Sequence, residues 1–151
     1  MLNVIIDEWL WHHLGETNSQ YQKDAVLFLR KIIDKKDTVV AVYETAFVQK
    51  CFAFFKSSEG DLNLRKIVKL IKSDLLYNSD LWLWLNQSDL QPLDPSLEAV
   101  IKPDDRYLVQ AYLFIENDVI LVTTDGPLLE ALSQKSFNCQ SRDIFLSKYL
   151  V

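Results

Sequence analysis

Short runs of aliphatic and β-branched residues alternate along the chain with longer segments in which apolar residues recur every three or four positions. The short runs predict buried strands at Asn3 to Asp7, Thr38 to Glu44 and Val119 to Val122, with a last extended piece at Phe137 to Arg142. These runs are continuously apolar rather than alternating, which is typical of strands covered on both faces. The order of elements therefore predicts an α/β fold, a three-layer α/β/α sandwich around a central, mostly parallel sheet.

The segments between the strands have the periodicity and the end signals of helices. Their predicted ranges are Glu8 to Leu14, Tyr21 to Lys36, Thr45 to Phe55, Leu62 to Leu76, Asp94 to Ile101, Lys102 to Asn117 with a break at Pro103, Pro127 to Lys135 and Asp143 to Leu150. The segment Leu81 to Gln87 alternates Leu and Trp, and its period fits either a short strand or part of a helix. Core packing is the expected role of Trp82 and Trp84, with base stacking or a partner surface as the alternative.

Composition narrows the class of protein. The chain has 151 residues, 49% apolar and 25% charged, which suits one domain spanning residues 1–151 with a substantial core. No stretch is apolar for long enough to cross a membrane, and Asp7 and Glu8 do not fit a signal peptide. Cys51 and Cys139 match no zinc or redox motif. We expect a cytoplasmic protein without a membrane partner.

The net charge of −5 argues against a protein that coats duplex DNA through broad electrostatics. Two local basic clusters occur, Lys35 with Lys36, and Arg65, Lys66, Lys69 and Lys72. The interpretation favoured for both is a solvated helix face.

Acidic residues stand where strands end and helices begin. Asp7 ends the first strand, Glu44 the second, Asp125 follows a later one, and Asp104 and Asp105 open a helix. Since the carboxyl ends of parallel strands share one edge, these carboxylates should converge there, close enough for one or two hydrated cations to bridge them. Like charges that converge repel one another, and a hard divalent cation such as Mg²⁺ or Mn²⁺ relieves the repulsion. Asp125 before Gly-Pro also has the character of a simple helix cap.

The ordered set of acids resembles the PIN domain, the nuclease fold of VapC-type toxins and RNA-processing factors. The matching pieces are the strand "VIID" ending at Asp7, "VAVYE" ending at Glu44, "DDRYLVQA" at the start of a helix, and "LVTTD" with Thr123 and Asp125. The similarity runs in order along almost the whole chain, with a poor match from about Leu62 to Leu93.

The resemblance implies a Mg²⁺- or Mn²⁺-dependent ribonuclease whose ligands and catalytic residues are Asp7, Glu44, Asp105 and Asp125. Between the two neighbouring acids, Asp105 is preferred because it puts Leu108 at a buried position of the helix. Asp104 then takes a capping or outer role, Thr123 bonds a ligand carboxylate or a water, and Arg106 contacts a phosphate or is simply exposed. The implied partners are RNA, an antitoxin or another protein, and a second copy in a homodimer.

The chain departs from the family pattern directly after its first acid. The family usually has a small hydroxyl residue or Asn there, whereas this chain has Glu8 and Trp9. The alternative hypothesis is therefore a catalytically inactive PIN-like module that binds RNA or protein. His12 and His13 are adjacent and do not share a helix face, so a half-exposed structural role is expected. No phosphate-binding glycine motif is present.

Overall fold

The computed structural model describes residues 1–151 as five strands and eight α-helices. The strands are β1 (Asn3–Ile6), β2 (Thr38–Val42), β3 (Trp82–Leu85), β4 (Val119–Thr123) and β5 (Cys139–Ser141). The helices are α1 (Trp9–Leu14), α2 (Gln20–Lys35), α3 (Ala46–Ser57), α4 (Leu62–Leu70), α5 (Pro95–Glu98), α6 (Arg106–Ile115), α7 (Gly126–Ser133) and α8 (Arg142–Tyr149). No helix is both long enough and apolar enough to cross a membrane.

All strand pairs are parallel, and the order across the sheet is β3-β2-β1-β4-β5. Successive strand residues face opposite layers, as the pleat requires. In β1, Val4 and Ile6 join a core that contains residues of α1, α2, α3 and α8. Ile5 faces a second core that contains residues of α5, α6 and α7. The predicted three-layer α/β/α architecture is confirmed, and the sheet is entirely rather than mostly parallel.

The ambiguous Leu-Trp segment is a strand at the edge of the sheet, where β3 pairs with β2. Trp82 is 2% exposed and Trp84 is half-buried against the same core. Pairing with β2 makes this segment a strand, because four alternating residues are too few to form the apolar face of a helix.

The predicted helix from Leu62 to Leu76 changes character part-way. α4 ends at Leu70, and Ile71–Leu76 continue as a π-helix, which has a wider turn. π-Helical turns are rare in proteins overall, but many of those that occur lie at functional sites. The long helix predicted after Pro103 is likewise divided. Pro103–Asp105 form a 3₁₀ turn, and α6 begins at Arg106.

The connections produce a switch point between β1 and β4. The helix that follows β1 packs on one face of the sheet, and the helix that follows β4 packs on the other. In open α/β sheets such a divergence leaves a crevice at the carboxyl ends of the strands, where ligands bind. Asp7 and Asp125 lie immediately after the two strands that flank it.

A candidate acidic site at the carboxyl edge of the sheet

A cavity of about 870 Å³ opens at this switch point. Its wall is strongly acidic, and Lys50 is the only lysine or arginine in it. The acidic side chains that line it are Asp7, Glu8, Glu16, Asp105 and Asp125. A phosphate would be repelled from this wall unless a cation neutralised part of the charge.

Asp7 is held by three donors. Its Oδ1 accepts from the Trp9 N–H at 3.1 Å, and its Oδ2 accepts from the Thr124 N–H at 3.1 Å and from the Thr123 hydroxyl. Burial raises the pKa of Asp7, the three hydrogen bonds oppose that rise, and the charge of Glu8 adds to it. The carboxylate is therefore fixed in orientation but incompletely compensated for its burial.

Thr123 connects two of the predicted site residues. Its side chain is fully buried, and while its hydroxyl donates to Asp7, the same oxygen accepts the Asp125 N–H at 3.0 Å. The hydroxyl thus bonds a site carboxylate, as the resemblance implied for this position.

Asp125 is a helix cap and a cavity residue at once. Its Oδ1 accepts the Leu128 N–H at 3.1 Å at the start of α7, where Pro127 occupies the first turn. A cap uses one carboxylate oxygen, so the second remains available on the cavity side. The two interpretations of this residue are therefore compatible.

Asp105 ends the 3₁₀ turn before α6, and its side chain makes no hydrogen bond within the protein. Burial raises its pKa, and the charges of Asp125, Asp7 and Glu8 raise it further. Acids from three separate segments thus line one cavity. Leu108, three residues along α6, is 1% exposed, as the choice of Asp105 over Asp104 required.

Glu8 belongs to this cavity, although the sequence analysis noted it only as a departure from the family pattern. Its carboxylate pairs with the Lys50 ammonium of α3 at 2.7 Å. Both side chains are partly exposed, so the pair contributes little to stability. The available signal was position alone, because Glu8 directly follows a strand-end acid.

Besides the buried Thr123, three of the predicted residues lie outside the cavity wall. Glu44 follows β2 at the same edge, but its side chain is exposed, and its backbone adopts a left-handed φ of 63°. Asp104 is also exposed. Arg106 donates to the carbonyls of Ile101 at 3.3 Å and Glu98 at 3.2 Å, which ties α6 to the segment before it. The structure therefore gathers Asp7, Asp105 and Asp125 and leaves these three apart.

Trp9 packs in the core and also lines the cavity. It is 4% exposed, and its indole N–H donates to the Val122 carbonyl at 3.2 Å. His13 stacks on Tyr21 with ring centroids 4.6 Å apart, and burial together with the charge of Arg142 lowers the pKa of His13. His12 is exposed and lies 3.3 Å from Glu16. Both histidines line the acidic cavity, His12 as an exposed side chain and His13 as a half-buried one.

The donor chemistry of the three aspartates suits a hard, hydrated cation, since carboxylate oxygens are the ligands that Mg²⁺ and Mn²⁺ prefer. No three Asp, Glu, His or Cys side chains lie close enough together to enclose a metal ion directly. The structure therefore brings the three aspartates to one cavity without forming a cluster that encloses a metal ion.

Comparison with known proteins adds no relative: no protein-family model, no curated protein and no solved structure matches the chain.

Proposed function

We propose that the protein is a metal-dependent ribonuclease of the PIN type, with Asp7, Asp105 and Asp125 as its central acids. One observation carries the proposal. Carboxylates from three separate segments line a single cavity at the switch point, where the charges of Asp125 and Asp7 raise the pKa of Asp105. Such repulsion does not stabilise the fold, and a bound cation would relieve it.

Each residue has a role that follows from its contacts. Asp7 is the best-oriented ligand, because two backbone N–H groups and the Thr123 hydroxyl fix its plane. Asp125 offers the oxygen that α7 does not use, and Asp105 offers a carboxylate with no protein partner. When bound, Mg²⁺ or Mn²⁺ supplies an activated water and charge stabilisation for phosphodiester hydrolysis. Glu8 replaces Glu44 as the fourth acid of the proposed site.

The test is cleavage of a mixed pool of labelled single-stranded RNAs by the purified protein in Mg²⁺ or Mn²⁺, with EDTA as the metal-free control. Asp7→Asn should reduce cutting more than about 100-fold, since even outer residues of metal sites commonly contribute about 10–100-fold. Asp104→Asn is the matched control, because Asp104 is an exposed acid beside the site but outside its wall.

A second measurement does not depend on activity. Mn²⁺ at ten times its dissociation constant should stabilise the wild-type protein by about 1.4 kcal/mol in thermal unfolding. The shift should vanish in Asp7→Asn and persist in Asp104→Asn. Equal shifts in all three proteins, or metal-independent cutting, would contradict the proposed site.

The second candidate is an inactive PIN-like module that binds RNA or protein. It is favoured by the absence of a ready-made metal cluster and by the Glu8–Lys50 pair, in which a lysine already neutralises one cavity acid. RNA binding that EDTA leaves unchanged, with neither cutting nor a Mn²⁺ shift, would select this candidate.

A further inference from the structure

A second large cavity lies on the opposite side of α3 from the acidic site. This groove, of about 1030 Å³, lies between α3 and the helix formed by α4 and its π-helical continuation. The charged side chains that line it are mostly basic, four bases and one acid, whereas those of the acidic cavity are mostly acids. The charged residues are Lys56, Arg65, Lys69, Lys72 and Glu59.

The basic residues of the groove are not neutralised by the protein. None of the four forms an ion pair, although the chain as a whole carries a net charge of −5. Arg65, Lys69 and Lys72 follow one another at intervals of four and three residues, which places them on one helix face. A stripe of unpaired cations attracts anions, even in an acidic protein.

Aromatic side chains are interleaved with these cations. Phe52 is 49% exposed and Tyr77 is 78% exposed, and both line the groove. Phe55 lies deeper, with its ring centroid 5.0 Å from the Lys72 ammonium and 6.0 Å from that of Phe52. Exposed rings beside cations are the two elements with which proteins bind single-stranded nucleic acids, by stacking on bases and by contacting phosphates.

The groove and the acidic site share one helix as a wall. α3 contributes Lys50, Ala53 and Ser57 to the acidic cavity and Phe52 and Lys56 to the groove. A strand bound in the groove has to pass around α3, which is about 10–12 Å across with its side chains, to reach the carboxylates.

We infer that this groove binds the single-stranded RNA segment next to the scissile bond and so holds the substrate against an otherwise repulsive acidic site. The inference rests on the proposed function for its meaning, but the binding it describes is measurable without cleavage. Duplexes fit the groove less well, because their bases are paired and cannot stack on Phe52 and Tyr77. An acidic peptide would satisfy the cations and leave the exposed rings without planar partners.

The test measures binding of a short, fluorescein-labelled, single-stranded RNA by anisotropy, in EDTA and in an Asp7→Asn background, so that cutting cannot interfere. Arg65→Glu with Lys69→Glu should weaken binding about tenfold or more. The matched control is Arg30→Glu with Lys36→Glu, which makes the same charge change at two exposed residues outside the groove. Phe52→Ala should weaken binding about fivefold or more. Its control is Phe114→Ala, since Phe114 is 47% exposed on another helix.

Salt dependence sharpens the same experiment. Each phosphate contact on a single strand contributes about −0.7 to the slope of log affinity against log salt concentration. Reversing two groove charges should therefore flatten the slope by about 1.4. Duplex RNA, single-stranded DNA of the same sequence and a poly-glutamate peptide complete the set of probes, and circular dichroism checks the folding of every variant.

Several outcomes would overturn the inference: equal binding by groove and control variants, an equal loss in both, no binding of single-stranded RNA, or preferential binding of the duplex or the peptide. Preference for DNA over RNA would also contradict it. Metal-dependent cutting without dependence on the groove would refute the groove and leave the nuclease standing. Groove-dependent binding without cutting would refute the nuclease and leave the groove standing.

Discussion

Two aspartates at opposite edges of the sheet, Asp37 and Asp105, have opposite environments. Asp37, at the amino edge before β2, is 6% exposed, and both of its oxygens have donors. Oδ1 accepts the Leu2 N–H at 2.9 Å, and Oδ2 accepts the Tyr149 hydroxyl at 2.6 Å. Asp105, at the carboxyl edge, has no donor and faces Asp125, Asp7 and Glu8.

The difference separates an acid that stabilises the fold from one that is available to a ligand. At the amino edge, hydrogen bonds compensate the cost of removing a carboxylate from water and join α8 to the start of the chain. At Asp105, which is half-buried, no hydrogen bond compensates this cost, and neighbouring acids increase it. Sites that bind cations commonly carry such locally unfavourable electrostatics, because the ligand rather than the fold relieves it.

The comparison predicts its largest effect at Asp105. Asp105→Asn should reduce RNA cleavage more than about 100-fold and leave the melting temperature equal or higher, because the change removes a repelled charge. Cleavage assays and calorimetry on the same preparations check both parts. Asp104→Asn should do neither, and a large drop in melting temperature for Asp105→Asn would show that Asp105 is structural after all.

The reciprocal change at Asp37 should affect stability instead. Asp37→Ala should lower the free energy of unfolding by about 3 kcal/mol, since it removes two hydrogen bonds to a buried carboxylate. Urea unfolding measures the loss. Asp34→Ala, at an exposed acid near the end of α2, is the control, and cleavage by folded Asp37→Ala protein should match wild type.

Thr123 contributes both to the fold and to the candidate site, because it is fully buried and is also bonded to Asp7 and Asp125. Thr123→Val should cost about 1 kcal/mol of stability and about 10–100-fold in cleavage. Thr123→Ser should restore most of the cleavage, because it returns the hydroxyl. If Val and Ser variants cut equally well, the hydroxyl does not position Asp7.

The smallest expected effect is a difference in the pH dependence of stability. The pKa of Asp105 is raised in the folded protein, so the folded state holds this proton more tightly than the unfolded chain does. Its contribution to stability therefore falls as pH rises from the ordinary aspartate range through the raised pKa. In EDTA, Asp105→Asn should gain on wild type over that interval and show no advantage at lower pH. An advantage that grows toward low pH would have the wrong sign.

The sequence predicted the layers and most of the elements because strand runs and helical periods are local signals. It also predicted that Asp7, Glu44, Asp105 and Asp125 lie at one edge, since the carboxyl ends of all strands in a parallel sheet share that edge. Glu44 fulfilled the same rule and still lies outside the cavity, because a left-handed turn after β2 sets its direction. Glu8 was not predicted as a site residue, because Glu8 and Asp105 are far apart in the chain and share a cavity only in the folded protein.

The basic helix shows the same limit. From the sequence, Arg65, Lys69 and Lys72 made an ordinary solvated face, and that description of their exposure is correct. Only the position of α3 across from them, with Phe52 and Phe55, turned the face into one wall of a groove.

By itself the sequence determined an α/β chain with buried strands, capped helices and acids at strand ends, because each depends on residues within a few positions of one another. The tertiary structure decided which acids share a cavity, which aspartate receives donors and which cations face aromatic rings. Those outcomes depend on strand order and on the face to which each helix crosses. They are set by packing between segments far apart in the chain, and no local pattern encodes them.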